Sequence, residues 1–443
     1  SLASGATQSG FGRTGTVDWQ TDSIKTATFT ATSGEGYFAN TTAGAFNMNL
    51  PAGAAGSIVA VKDYLNTFDT YGLTIVPNGS DKIGGVNANY GVSTEALSLT
   101  LVYVDATRGW IDIHESTQAS AGETFLVATG GTPCSGAIVC TNYKVHTFTG
   151  PGTFCVSSIG NCAANNLVSY VVVGAGGGGG MSGGGGGGAG GYREVVSPTS
   201  PYTGSPLDGY PTAPNRITVT ATGYPIAVGS GGAGQTPSPN VQASSGGVAS
   251  FSTITGAGGS GGGGGGQSGA TLTAGGSGGG GRSNQANPGG AGNTPSTTPA
   301  QGFAGGTGGT GSPCTGGGAG GGASAVGANG GTPGNARDGG IGGAGVTSEI
   351  TASPVAYAGG GGAGTDSGTP TPGSPGNGGA GGTGGGGAGG TANSGTGPTS
   401  GANGSDNTGG GAGGGSNAPG ASPNTELGGV GGSGVVIIRY KFQ

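Results

Sequence analysis

A chain of 443 residues with 119 glycines and only 7% charged side chains lies far from ordinary globular composition, in which glycine is about 7%. A net charge of −6 spread over that length leaves no basic stripe for nucleic acid, and no apolar run nears the ~20 residues of a membrane-spanning helix. Low-complexity disorder is the default for such composition. Disordered chains usually carry many charges, however, and here apolar segments bracket the glycine region at both ends, as a folded unit requires. The sequence opens at Ser1 with no visible signal segment, as a processed or truncated form would.

Residues 1–124 read as β protein. Alternating or apolar runs fall at 26–32, 45–50, 57–61, 73–76, 97–104 and 110–113, separated by turn material such as Ser33-Gly34-Glu35-Gly36 and Pro77-Asn78-Gly79-Ser80. Strands so short and so close predict a small β-sandwich module, with Tyr37, Phe38, Phe46, Leu50, Val59, Val61, Ile75, Leu101, Val102 and Trp110 in its core. The blocks GTVDWQTDSIKTATFTATSGEGYF, NLPAGAAGSIVAVKDYLNTF, LTIVPNGSDKIGG and LTLVYVDATRGWI occur in that order. Over about a quarter of the chain they resemble a module of tail-fibre proteins of tailed bacteriophages. The resemblance implies a structural β module in a virion fibre, commonly trimeric, without catalytic residues.

Residues 125–168 form a junction that opens a β platform and holds four of the five cysteines. Runs at 144–149 and 153–156 predict a hairpin around Gly150-Pro151-Gly152. Four cysteines allow three pairings, of which local Cys134–Cys140 and Cys155–Cys162 bridges are the simplest. Zinc is the rival, but the spacing is wider than four-cysteine sites use. Cys314 is left over, either free or bridging subunits.

Residues 169–443 are dominated by glycine. The run 174–191, GAGGGGGMSGGGGGGAGG, follows directly on Val171-Val172-Val173. A helix there loses about 1 kcal/mol per glycine relative to alanine, and a strand has no side chains to pack. The remaining ordered choice is the polyproline-II geometry, three residues per turn at about 3.1 Å each, in which glycine segments lie side by side and bond laterally. At that rise 174–191 is one rod of roughly 55 Å, or two antiparallel half-rods turning at Met181-Ser182. Glycine clusters alternate with Ser/Thr/Asn/Pro patches from 256 to 434, and the patches 284–299, 367–375 and 391–408 read as turns. Gly-Gly-X triplets such as 305–310 and 378–383 fit a threefold screw, whereas strict Gly-X-Y with abundant proline, the collagen signature, is absent. Runs at 169–173, 217–221, 225–228, 251–255 and 435–442 are strand-like, and the last has 170–173 as its natural partner. The fold class expected is therefore all-β: a β-sandwich module, then a β platform carrying a bundle of polyglycine-II helices.

The blocks VHTFTGPGTFCV, SYVVVGAGGGGG, GGYREVV, ITVTATGYPIAVGSGGAG, SFSTITGAGGSGGGGGG and GGSGVVIIRYKF resemble glycine-rich domains of phage tail proteins, over about two thirds of the chain. That resemblance implies an adhesin whose glycine segments pack as polyglycine-II helices.

Little in the sequence carries chemistry. GxGxxG recurs wherever glycine runs, so it carries no signal for a dinucleotide, and there is no phosphate-binding Gly-Lys-Ser/Thr. The segment 361–366 matches the start of a calcium β-roll repeat once, without its apolar residue. Asp112, His114 and Glu115 read as a solvated strand edge, and Asp63, Asp69 and Asp105 as turn residues. No catalytic, metal or cofactor residue is assigned. For recognition, the least repetitive and most aromatic insert is 192–224, where Tyr202, Tyr210, Arg216 and Tyr224 are the candidate receptor contacts. Hydrophobic covering of the platform explains the same residues equally well. The turns 283–299 and 365–375 are alternative contacts.

Function is thus expected to be non-enzymatic: a virion tail-fibre or adhesin, extracellular, binding a glycan or outer-membrane protein of a bacterial host. Other tail proteins and two further copies of the chain are the expected partners. A purely structural extracellular filament and an ice-binding bundle are the rival classes. A depolymerase would need clustered carboxylates.

Overall fold

The computed structural model describes residues 17–113, 124–160, 162–237, 242–265, 271–284, 286–311, 314–331, 337–367, 376–393, 397–417 and 426–443. The chain is all-β: among these residues there is no α-helix, only two short 3-10 turns at Ala163–Asn166 and Ala213–Asn215. It divides into two compact units, Ser1–Thr124 and Phe125–Gln443.

In the first unit two sheets enclose one core. The strands Asp18–Lys25, Glu35–Ala39 and Ile58–Asp63 lie parallel in one sheet, and Phe29–Thr30, Phe46–Asn49 and Leu73–Val76 lie parallel in the other. The chain changes sheet at each of these strands. Parallel neighbours cannot be joined by a tight turn, and here the strand of the opposite sheet supplies each crossover. Antiparallel strands finish the unit: Tyr90–Val92 on one sheet, Ser98–Tyr103 and Trp110–Asp112 on the other. The arrangement coils, where an ordinary sandwich would run antiparallel. Tyr37, Phe46, Leu50, Val59, Val61, Ile75, Leu101 and Trp110 are buried in the core, as their alternation predicts. Phe38 and Val102 are corrections to that list, because they point to the other face, where Phe38 packs against Trp19 with ring centroids 5.1 Å apart. Asp63 is a turn organiser: its carboxylate accepts from the backbone N–H groups of Thr67, Phe68 and Ala96.

The second unit begins with a platform of two sheets. One has the order Thr132–Val139, Tyr143–Phe148, Val435–Lys441, Leu167–Val173, Tyr192–Val195. The other runs Val127–Thr129, Gly152–Ser158, Gly223–Ala227, Ala249–Phe251, Ile254–Gly256. The expected hairpin between Tyr143–Phe148 and Gly152–Ser158 does not form, since these strands belong to different sheets. The chain turns a corner at Gly150-Pro151-Gly152, which lets Phe148 and Phe154 face one shared core with Tyr170, Phe251, Ile438 and Tyr440. The C-terminal strand pairs antiparallel with Leu167–Val173, from Val173 opposite Val435 to Ser169 opposite Arg439. Strand residues of the other parity, Val171, Val173, Val435 and Ile437, form a second core with Tyr192, Tyr357 and Ala358.

From this platform the glycine segments rise as extended rods, and residues 174–191 form two antiparallel half-rods. Gly174, Gly177 and Gly180 donate to the carbonyls of Gly191, Gly188 and Gly185. The chain reverses at Ser182 and Gly183, both at positive φ. Partners then recur every third residue. Ala175 and Gly178 donate to Gly247 and Ser244, and Gly176 and Gly179 to Gly432 and Gly429. The carbonyls of the same half-rod accept, in rotation, from 259 and 262, from 232 and 235, and from 412 and 415. Residues 174–180 thus touch six other rods, three as donor and three as acceptor. The return half-rod does the same: it donates to 409–415, 257–263 and 318–321, and accepts from 174–180, 277–280 and 361–364. This hairpin is the axis of the bundle, and every residue from Val168 to Tyr192 is buried.

Candidate functional site

The bundle has two ends. The lower one meets the platform at Val173, Tyr192 and Val435; the upper one holds the Ser182 turn. The turns expected from composition divide between them. Residues 283 and 284 lie at the upper end, where Ser283 N donates to Gly183 O. Residues 293–299 lie at the platform, where Thr298 O accepts from Asn215 Nδ2 at 2.8 Å. The span 283–299 is therefore not one tip. Within 391–408, residues 399–405 form a rod that a turn at 406–409 follows. Of 365–375, residues 368–375 lie outside the described residues.

A polar cluster organises the upper end. Asp366 accepts from the amides of Asn284 and Asn417, and Asn284 exchanges bonds with Thr315 through N–H to Oγ1 (2.9 Å) and Oγ1–H to Oδ1 (2.7 Å). Arg282 Nε donates to Ser182 O at 3.3 Å, and Gln235 Oε1 accepts from Met181 N at 3.1 Å. Burial raises the pKa of Asp366 above its ordinary value, against the opposing pull of the Arg282 charge. Asp366 is the last residue of the calcium-like segment; here its oxygens are occupied by amide donors. The cluster ties the turns together around the axial hairpin.

The aromatic insert 192–224 lies at the platform, and its candidate contacts have internal partners. The Tyr202 hydroxyl donates to Glu194 Oε1 at 3.0 Å, and its ring faces the Arg439 guanidinium at 5.4 Å. Tyr210 stacks under Arg216 at 4.4 Å, and Arg216 Nε donates to the Tyr210 carbonyl at 2.7 Å. The Tyr224 hydroxyl accepts from Thr220 N at 2.8 Å. Tyr210 and Tyr224 pack on the core between the two sheets, and Tyr202 on the core beneath the rods. These three tyrosines are half-buried over the platform, and Arg216 alone of the four is exposed.

Sequence reasoning missed two buried polar residues. Glu194, 2% exposed, accepts from Tyr202, from Ser348 Oγ and from Ser205 N. Arg439, also 2% exposed, donates to the carbonyls of Ile350 and Pro201 and lies between the rings of Tyr143 and Tyr202. A charged residue inside an apolar strand run, as in VVIIRY and YREVV, was the available signal.

The expected disulfides are corrected: Cys134, Cys140, Cys155 and Cys162 are free, exposed thiols. The Cys314 side chain, His114 and Glu115 lie outside the described residues. Asp112 ends the strand Trp110–Asp112. Among the described residues no three His, Cys, Asp or Glu side chains gather as a metal site would need, and no helix is long and apolar enough to cross a membrane.

Residues 149–441 match the family Gly_rich_2, described as a glycine-rich domain. No curated protein matches the chain.

Proposed function

Because the chain belongs to this family of glycine-rich domains, we propose that it is a non-enzymatic tail fibre or adhesin of a tailed bacteriophage, attaching the virion to a bacterial host. The rods are read as polyglycine-II helices, since a partner that recurs every third residue is the register of a screw with three residues per turn. The observation that carries the reading is the six-neighbour environment of the axial hairpin 174–191. It stiffens a bundle made almost wholly of backbone, so that the upper turns are displayed from a rigid support far from the platform, where the chain enters this unit. Host recognition is assigned to that surface, with a glycan or outer-membrane protein as receptor. Other tail proteins and two further copies of the chain complete an extracellular, trimeric fibre.

Fluorescently labelled protein should bind a restricted set of bacterial strains, and replacing residues 368–375 by a glycine-serine segment of equal length, which leaves Asn284, Thr315 and Asp366 in place, should reduce that binding without lowering the melting temperature. Equal binding to every strain, or to none, overturns the reading. A structural filament is the second reading. The strand Asp18–Lys25 favours it, since it has no partner on its outer side among the described residues and could extend end to end. Long unbranched polymers of purified protein in electron micrographs would select it.

A further inference from the structure

Residues 338–345 form a rod at the bundle surface. On one flank Ala328 N donates to Ile341 O and Gly331 N to Asp338 O; on the other Gly339 N donates to Asn377 O and Gly342 N to Ala380 O. Among the described residues no hydrogen bond joins 328–331 to 377–380. These two rods therefore stand as walls over a floor at 338–341, and the three enclose a cleft of about 350 Å³.

Three polar side chains reach this cleft with hydrogen-bonding capacity to spare. Asp338 Oδ1 accepts from Asn377 N at 2.7 Å, which fixes the carboxylate and leaves Oδ2 open. Asn329 Oδ1 accepts from Thr307 N at 2.8 Å, which fixes its amide with the NH₂ free to donate. The Asn377 side-chain amide, exposed at the wall, has no partner among the described residues. Beside them Ile341, 59% exposed, presents a large apolar side chain to solvent.

An acceptor-only carboxylate, two amides able to donate and one apolar plate match a pyranose ring. Its neighbouring hydroxyls both donate and accept, and one face of the ring presents C–H groups. The volume lies at the lower end of ligand sites, enough for about one or two sugar rings. The Asp338 charge disfavours acidic sugars. We propose that the cleft between 328–331, 338–341 and 377–380 binds a neutral hexose unit of a polysaccharide, with Asp338, Asn329 and Asn377 on its hydroxyls and Ile341 under its ring. The assignment rests on the adhesin reading only for the source of the sugar.

The test uses the full chain and the methyl glycosides of glucose, galactose and mannose at millimolar concentration, read by saturation-transfer NMR. At least one should receive magnetisation, with a dissociation constant on the order of 1 mM, as a shallow site with few contacts gives. Asp338→Asn keeps an acceptor for Asn377 N and should weaken binding about tenfold. Ala380→Trp fills the cleft from its exposed wall and should abolish binding, while both variants melt as the parent does. No transfer to any of the three sugars, or equal transfer to parent and variants, overturns the assignment. Binding of the same protein to bacterial cells separates the two claims. Cells bound without any sugar response end the cleft assignment alone, whereas a sugar response lost in both variants supports the cleft even where no cells are bound.

Discussion

The Tyr202 hydroxyl donates to Glu194 Oε1 at 3.0 Å, while the ring of the same residue covers the Arg439 guanidinium. Glu194 and Arg439 are both buried, and this tyrosine stands between them. Burying a charge is costly unless it is hydrogen-bonded, and here the acid has three donors and the base two carbonyl acceptors. Tyr202→Phe keeps the ring and removes one donor to a buried carboxylate, so it should cost about 1–3 kcal/mol in denaturant unfolding. Tyr202→Ala also uncovers Arg439 and should cost more. Equal stability of the Tyr202→Phe variant and the parent would place the hydroxyl bond outside the energetics of the clamp.

That clamp also marks where sequence reading stopped. The apolar runs 169–173 and 435–442 show that the ends of the glycine domain are strands, and their pairing follows, because a lone apolar strand must be covered. Tyr202 could not be placed in the same way. Its partners Glu194 and Arg439, and Ser348, which donates to the same carboxylate, are spread over the chain, and nothing local distinguishes a tyrosine that covers a core from one that meets a receptor. The spacing of the Gly-Gly-X triplets matches the recurrence of hydrogen-bond partners at every third residue. The neighbours of each rod were not readable, because a glycine such as Gly178 carries no side chain to select Ser244 over any other carbonyl. Which end a turn occupies depends on counting rods, so 283–284 and 293–299 read as one patch although they lie at opposite ends of the bundle.

Acid should loosen the platform through His146. The ring is fully buried, Nδ1 lies 2.7 Å from Gly130 O and Nε2 3.1 Å from the Tyr440 hydroxyl. A carbonyl only accepts, so Nδ1 carries the proton and Nε2 accepts from Tyr440, whose own pKa burial raises to about 12. Burial lowers the His146 pKa below 6.5, with Lys144 adding to the effect and the Gly130 bond opposing it. The unfolded chain therefore binds the extra proton first. Stability should be level above pH 6.5, then fall as pH drops through the window between 6.5 and the lower folded value. His146→Phe keeps the aromatic packing and should flatten that part of the melting-temperature profile. An unchanged slope would assign the acid sensitivity elsewhere.

Apart from Ala175 and Ala189, the half-rods of the axial hairpin have glycine where rods meet, and most of these glycines leave no room for a side chain. A Cβ on Gly187 would stand 2.1 Å from Gly177 O, and one on Gly178 would stand 2.0 Å from Ala233 O. The obstacle is backbone held by lateral bonds, which cannot swing aside as a flexible side chain would. Gly187→Ala should cost about 3 kcal/mol or more by overpacking, or prevent folding, whereas Ala388→Ser at an exposed position should be neutral. Hydrogen exchange gives the companion measurement: amides 174–180 and 184–191 should be among the slowest in the chain. Exchange there at the rate of an unfolded peptide would remove the bundle.

The four platform cysteines should behave as ordinary surface thiols. Cys134, Cys140, Cys155 and Cys162 are exposed and unbridged, so iodoacetamide should label all four in the native state, and a reductant should leave the melting temperature unchanged. Mass shifts showing two bridges in freshly purified protein would reverse this correction to the sequence reading.

Side chains on its outer rods should stop the bundle from growing sideways. A surface rod shows one residue in three to solvent: Ser230, Ala233 and Thr236 on one, Asn377, Ala380 and Thr383 on another, Leu427 and Val430 on a third. At most inner glycines an added Cβ would lie about 2 Å from a neighbouring carbonyl, and the inner rods have room only for single small side chains such as those of Ala175, Ala319 and Ala412, so outward-facing side chains at every third position hinder close lateral approach. The device corresponds to the charged or bulged edge strand of a sheet, which prevents edge-to-edge pairing. Leu427, 38% exposed, and Val430, 46% exposed, give the clearest test, since glycine at both bares one face of the rod 427–434. Leu427→Gly with Val430→Gly should produce concentration-dependent lateral association, measured by light scattering, although it removes two exposed apolar side chains. Leu427→Ser with Val430→Thr removes comparable apolar surface and keeps a Cβ, so that variant should scatter as the parent does. If hydrophobic contact governed association instead, both double variants would associate less than the parent, and the side chains would have no part in ending the lattice.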